Sequence, residues 1–279
     1  MVPVAMTIAG SDPSGGAGIQ ADLKTFHQHG VYGTSVITLL TVQNTCGVDA
    51  VHLLEPEFVV SQLDAVIRDI PPKAAKTGAL GNAGFIEALA ERAAKFSFPL
   101  VVDPVMVSKH GARLLDGNAI EVLRKRLLPH AFLVTPNLPE AAELAEMEVN
   151  DPASMEQAAA AIATLGPKNV LVKGGHLCDR AVDVLWSDGN VVRFSHLRID
   201  SKATHGTGCV LSAAITARLA LGQKLSEAVH QAKSFVTRAI RTHPNLGAGV
   251  GPLNLHADIE DHEARIEIHR KGNGQEHRE

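Results

Sequence analysis

The sequence predicts an α/β protein, a three-layer α/β/α sandwich around a central, mainly parallel sheet, and three observations lead there. Short apolar runs recur along the chain without the alternation of a one-sided sheet, as strands buried on both faces do. Amphipathic stretches of helical spacing separate most of them, the pattern of strands joined by right-handed helical crossovers. Glycine, proline, asparagine and aspartate gather where the apolar runs end, so the unusual residues fall in loops at strand ends.

In order, residues 4–8 form an apolar run that enters a loop at Gly-Ser-Asp-Pro. From Gly18 to Gln28, Ile19, Leu23 and Phe26 share one helical face before Gly30 stops it. Strands are predicted at 35–40, 51–54, 74–77, 100–102, 132–135 and 169–172, with helices at 57–69, 82–95, 118–127, 138–146 and 154–165. After Lys173 the pattern changes. Runs at 181–186 and 191–197, separated by Ser-Asp-Gly-Asn, read as a β-hairpin with an Asp-Gly turn. Two long helices, 207–221 and 225–241, come last. With no repeat or linker dividing it, the chain reads as one domain over 1–269, and the polar run 270–279 is expected to be a mobile tail.

Composition narrows the partners. The 279 residues are 45% hydrophobic and 20% charged, with a formal charge of -4 and a pI near 6.4. That balance gives no basic field for nucleic acid and no basic anchor for a membrane surface, which leaves a small molecule. The first ten residues lack a signal peptide's basic start and long apolar core, and the three cysteines are too scattered for a disulfide framework; the cytoplasm is the expected compartment. Fourteen histidines form no His-Glu-x-x-His, and His176-Leu-Cys178-Asp179 reads as loop surface.

The loops carry the chemistry. Thr204-His-Gly-Thr-Gly-Cys209 opens an Ala/Leu-rich helix through two glycines. Amides of Gly206, Thr207 and Gly208 would face any phosphate in front of them, with Cys209 in the first turn; an ordinary glycine-rich connector is the competing account. Gly10-Ser-Asp-Pro-Ser-Gly-Gly-Ala-Gly18 has Gly16-Ala17 where a P-loop needs Lys-Ser or Lys-Thr, and the acidic residue of a dinucleotide fold is missing, so it reads as backbone lining for a small ligand. Gln43, at a strand end, could give a donor and an acceptor to the edge of an aminopyrimidine, or merely tie down its loop. Asp103-Pro104 and Asn137-Leu-Pro-Glu140 follow two other strands. Their carboxylates could hold a hydrated Mg²⁺, and Asn137 also suits a helix cap, two readings that can both hold. Lys173 before Gly174-Gly175 brings positive charge to the same rim. Together, these residues describe a phosphoryl-transfer site.

Six motifs in order carry a resemblance: Ile8 to Lys24, Val42-Gln-Asn-Thr-Cys-Gly47, Asp103-Pro-Val-Met106, Thr135-Pro-Asn-Leu-Pro-Glu140, Val172-Lys-Gly-Gly-His176 and Thr204 to Cys209. Over nearly its whole length the chain resembles the hydroxymethylpyrimidine and phosphomethylpyrimidine kinases, within the ribokinase-like superfamily. The resemblance implies ATP- and Mg²⁺-dependent phosphorylation of 4-amino-5-hydroxymethyl-2-methylpyrimidine and then of its monophosphate, in thiamine synthesis, by a homodimer. It implies that Gln43, with Gly10, Ala17, Asp22 and Val105, surrounds the pyrimidine. Lys173, Asn137, Asp103 and Gly208 would meet ATP, and Glu140 and Asp103 the Mg²⁺, through water.

Where most of the superfamily has an aspartate base, this chain has Cys209. A helix N-terminus that lowered its pKa by about 1.5 units would make roughly half of it thiolate at neutral pH, so it is expected either to take the alcohol's proton or to position the alcohol. Ala79 replaces the methionine of many relatives, which keeps a pyridoxal kinase open as the alternative. The basic stretch 108–113 is expected to form a flap over the substrate. A nicotinamide-dependent oxidoreductase on the same sheet is disfavoured by the absent ribose carboxylate, and no motif marks the adenine contacts.

Overall fold

Among the described residues, all strands join one eleven-stranded sheet. It contains β1 (Val4–Ser11), β2 (Tyr32–Gln43), β3 (Val48–Leu53), β4 (Ala74–Thr77), β5 (Leu100–Val102), β6 (Leu133–Val134), β7 (Asn169–Gly174), β8 (Arg180–Ser187), β9 (Asn190–Leu197), β10 (Glu267–Gly272) and β11 (Gln275–Glu276). The order across it is β11-β10-β9-β8-β7-β6-β5-β4-β1-β2-β3. The computed structural model describes residues 2–107, 111, 114–115, 117–175, 180–259, 267–272 and 275–276. From β7 through β2 neighbouring strands are parallel, and β3 and β8–β11 add antiparallel flanks.

Alternate residues of the central strands enter opposite cores. Met6, Ile8, Val102 and Val134 pack on one face against α2 (Pro56–Asp69), α3 (Ala83–Ala93), α4 (Gly117–Val122), α5 (Leu138–Ala145) and α6 (Pro152–Ala163). Ala5, Ala74, Val101, Leu133 and Leu171 face α1 (Gly18–Gln28), α7 (Thr207–Ala220) and α8 (Leu225–Arg241). This is the predicted sandwich: β4, β5 and β6 are buried at every position, as the apolar sequences of β5 and β6 require, and β4 encloses Lys76 and Thr77 as well. The strand order reverses between β1 and β4, and the loops beyond the carboxyl ends there part to leave a crevice.

Two elements depart from expectation. The predicted helix 118–127 is α4 followed by a π turn at Leu123–Leu127 and one 3₁₀ turn at Leu128–His130, where Pro129 cannot continue an α-helix. Residues 270–272 and 275–276, from the run expected to be a tail, lie in β10 and β11, and β10 pairs with β9 from Glu267↔Ser195 to Lys271↔Val191. The open edge of a hairpin supplies backbone partners whatever the side chains are, so polar composition did not reveal it. The expected flap 108–113, apart from Gly111, and the cluster 176–179 lie outside the described residues. Among the described residues no helix is long and apolar enough to cross a membrane.

Candidate active site

Two glycine turns pack backbone to backbone at the base of the crevice. Gly206 is the N-cap of α7 at φ 82°, in the left-handed region that glycine adopts freely. A Cβ there would stand 1.9 Å from the carbonyl oxygen of Gly16. Across from it, Gly18 (φ +58°) has the Gly10 carbonyl where a Cβ would go, at 2.4 Å. Asp12 holds the first turn in shape: Oδ1 accepts from the amide and hydroxyl of Ser14, at 2.9 and 2.7 Å, and Oδ2 from the amide of Ala17 at 2.8 Å. Thr207, Gly208 and Cys209 are therefore the first helical residues of α7; the Thr207 amide donates to the Thr204 carbonyl at 3.4 Å, so the expected set of open amides narrows to those of Gly208 and Cys209.

Around these turns opens a cleft of roughly 1060 Å³. Every residue the sequence singles out for the site borders it: Gly10, Ala17, Asp22, Gln43, Asp103, Val105, Asn137, Glu140, Lys173, Gly206, Thr207, Gly208 and Cys209. At one end, the Gln43 carboxamide lies 3.2 Å from Nε2 of His205, which lies 2.8 Å from Oδ2 of Asp12. Gln43 thus ties its loop to the glycine turns and still lines the cleft, with Thr41 and Leu39 beside it on β2.

In the middle, Lys173 at the end of β7 donates to Oδ1 of Asp103 at 2.8 Å, and Thr135 and Ser212 donate to the same carboxylate, each at 3.2 Å. Burial alone would discharge both partners. Lys173 and Lys76 nonetheless hold Asp103 below the usual carboxylate range, and Asp103 and Glu140 hold Lys173 above the usual lysine value. A Cβ on Gly208 would come 3.2 Å from the Lys173 ammonium, so glycine there lets that cation reach the start of α7.

Asn137 caps α5 in a capping box: its Oδ1 accepts from the Glu140 amide at 2.9 Å, and its own amide donates to Glu140 Oε2 at 2.8 Å. Burial pushes Glu140 up to about 7, against the pull of Lys173. It borders the cleft as a carboxylate set against a paired lysine, a donor that suits a magnesium ion taking its remaining oxygens from water and phosphate. Among the described residues no three His, Cys, Asp or Glu side chains gather to hold a metal alone. Asp103 accepts from protein donors on both oxygens, Lys173 and Thr135 on Oδ1 and Ser212 on Oδ2.

Two sequence expectations change. Cys209 is pushed up to about 11, chiefly by burial and further by the charges of Asp22 and Asp103, which together outweigh Lys76 and the Gly18 amide that bonds the sulfur. The thiol is therefore protonated, not half ionised. Asp22 is wholly buried, with Oδ1 accepting from Lys76 at 2.8 Å and Oδ2 from Thr7 at 2.6 Å, so its carboxylate is engaged by protein, not held open to a pyrimidine. Lys76 had not been singled out. It reaches the carbonyl of Cys209 at 3.4 Å, and Asp22 with other nearby charges keeps its pKa above the ordinary lysine value despite burial. The signal was a lone lysine inside a strand otherwise made of small residues, because a charge buried there demands a partner.

A parallel sheet whose strand ends bring a glycine-opened helix, a lysine and a capped acidic pair around one cleft defines the class: a phosphotransferase acting on a small molecule. The family model described as phosphomethylpyrimidine kinase matches residues 12–254, and the chain belongs to that family. It is 50% identical over 258 residues to the thiamine biosynthesis bifunctional protein of Geobacter sulfurreducens, covering 92% of this chain but 53% of that longer protein. To the hydroxymethylpyrimidine/phosphomethylpyrimidine kinase of Synechococcus elongatus it is 48% identical, covering 90% of this chain and 97% of the relative. Its fold is similar to the pyridoxal kinase of Staphylococcus aureus solved in complex with AMP-PCP, with a TM-score of 0.87 and 35% identity over 97% of this chain and 99% of that one.

Proposed function

We propose that this protein transfers the γ-phosphoryl group of ATP to the hydroxymethyl group of 4-amino-5-hydroxymethyl-2-methylpyrimidine, and then phosphorylates the monophosphate to the diphosphate. The observation that supports this reading is one cleft bordered by Gln43, by Cys209 and the start of α7, and by Lys173 and Glu140. The pyrimidine lies on Gly10, Ala17 and Val105 with its edge toward Gln43, and its hydroxymethyl arm faces Cys209. The amides of Gly208 and Cys209 and the Lys173 ammonium surround the group in transit. A bound Mg²⁺, held with Glu140, supplies further positive charge to the triphosphate.

The protonated thiol orients the alcohol oxygen and accepts no proton from it. This suffices because phosphoryl transfer passes through a loose transition state, in which alignment and charge stabilisation outweigh prior deprotonation. The alcohol oxygen bonds to the γ-phosphorus as the bridging P–O bond to ADP breaks, and the alcohol's proton leaves to water. The nucleoside lies farther along the cleft against Ala181, Leu211, Val236 and Ile240. The enzyme works in the cytoplasm as a homodimer.

A pyridoxal kinase is the second reading, favoured by Ala79 on the cleft wall and by the Staphylococcus aureus neighbour. ADP release with Mg-ATP, measured with the hydroxymethylpyrimidine, its monophosphate, pyridoxal and no alcohol, separates the two. We expect kcat/KM at least about tenfold higher for the pyrimidine than for pyridoxal, a difference of about 1.4 kcal/mol in transition-state binding. Turnover of pyridoxal with none of either pyrimidine would reverse the assignment.

A further inference from the structure

A further buried ion pair, besides Lys173–Asp103 and Lys76–Asp22, borders the cleft, and no step above uses it. Lys233 on α8 donates to Oδ2 of Asp183 on β8 at 2.6 Å, and both side chains are 7% exposed. The other oxygen of Asp183 accepts from the backbone amide of Gly174 at 3.0 Å. Gly174 follows Lys173 directly, and Asp183 stands opposite Lys173 in the antiparallel pairing of β7 with β8. On the other side, the Lys173 amide donates to the Pro136 carbonyl at 2.8 Å. The two peptide units that flank the Lys173 Cα are therefore held, one by the β6–α5 loop and the other by the Asp183 carboxylate, and that carboxylate is paired with Lys233 on α8.

We propose that Asp183 and Lys233 are positioning residues for the nucleotide: they tie the wall on which the nucleoside lies to the cation that meets its phosphates. This rests on the nucleotide placement given above. Val236 and Ile240, one and two turns after Lys233 on the same face of α8, border the same half of the cleft. A carboxylate with both oxygens committed and almost no water has a fixed direction, so a shift of α8 reaches Gly174 through two short hydrogen bonds. Removing the tie leaves Lys173 charged and still facing Asp103, but without a fixed backbone beneath it.

The test uses the full-length protein with Asp183→Asn, Lys233→Arg and the double variant Asp183→Asn with Lys233→Met, the last of which avoids an unpaired buried charge. In Asp183→Asn and the double variant we expect KM for Mg-ATP to rise roughly tenfold and KM for the pyrimidine to stay within about twofold, while Lys233→Arg keeps near-native values. Binding of inorganic tripolyphosphate, which has no nucleoside, should weaken by the same factor as ATP, because the effect acts through Lys173. If only ATP binding weakens, Lys233 acts on the nucleoside directly and the proposal fails. It fails equally if both KM values rise together with a lowered melting temperature, or if neither moves. A wild-type protein without ATP turnover would instead refute the kinase reading on which the proposal stands.

Discussion

At Cys209 two effects oppose each other: the helix start and Lys76 favour a thiolate, while desolvation and the carboxylates of Asp22 and Asp103 favour the thiol. Desolvation is the largest of these, so a sulfur whose midpoint is pushed up to about 11 is almost entirely neutral at neutral pH. Cys209→Ser should keep turnover within about fivefold of wild type, because a hydroxyl can still orient the alcohol, whereas Cys209→Ala should lose at least about tenfold with pyrimidine binding unchanged. The wild-type pH–rate profile between pH 6 and 9 should show no thiol ionisation, and a limb that disappears in Cys209→Ser would restore the base role. Residues at strand ends, such as Gln43, Asp103 and Lys173, were legible in the sequence because loops interrupt apolar runs there. The partners of Lys76 and His205 were not, since Asp22 lies 54 residues from Lys76 and Asp12 lies 193 from His205. Only the fold brings them together.

For the elements, the start of α7 shows how a helix is fixed by what it cannot accommodate. Gly206 closes the turn in a left-handed conformation with Gly16 pressed against it, so the helix can begin only where the two loops meet without side chains. Gly206→Ala should therefore lower stability by roughly 2–4 kcal/mol, the sum of an unfavourable backbone conformation and overpacking against a carbonyl. Urea unfolding would register this as a lower midpoint at unchanged slope; an unchanged midpoint would mean the two loops are free to separate. Strand β5 coincides with its predicted range because an apolar run buried on both faces has sharp ends; β4, Ala-Ala-Lys-Thr, coincides with its predicted range as well. The π turn after α4 and the edge strand β10 had no comparable signal: one depends on how a helix accommodates its last turn, the other on an open backbone edge.

Across the whole molecule, the sheet loses its parallel neighbour where β2 outruns β1. The pairing of β1 with β2 ends at Ser11↔Leu40, but β2 continues to Gln43 with only β3 beside it. A two-stranded ribbon is marginal in water unless something packs on it. This one carries Gln43 toward the cleft, while Leu40 and Val42 on its other face are 42% and 58% exposed and Val51 and Leu53 on β3 are 40% and 42% exposed. A second copy of the chain related by a two-fold axis would cover the same patch on both partners at once. Sedimentation equilibrium should then give a species of twice the 29.5 kDa chain mass. Leu40→Lys with Val42→Lys should convert it to monomer, since two like charges cannot be buried against their own symmetry mates without large desolvation and repulsion. Because Gln43 rides on the same ribbon, the monomer should also show KM for the pyrimidine raised several-fold with KM for ATP nearly unchanged. A wild-type protein that sediments as a monomer, or a double variant that remains a dimer, would place the subunit contact elsewhere and leave the ribbon held by its own chain alone.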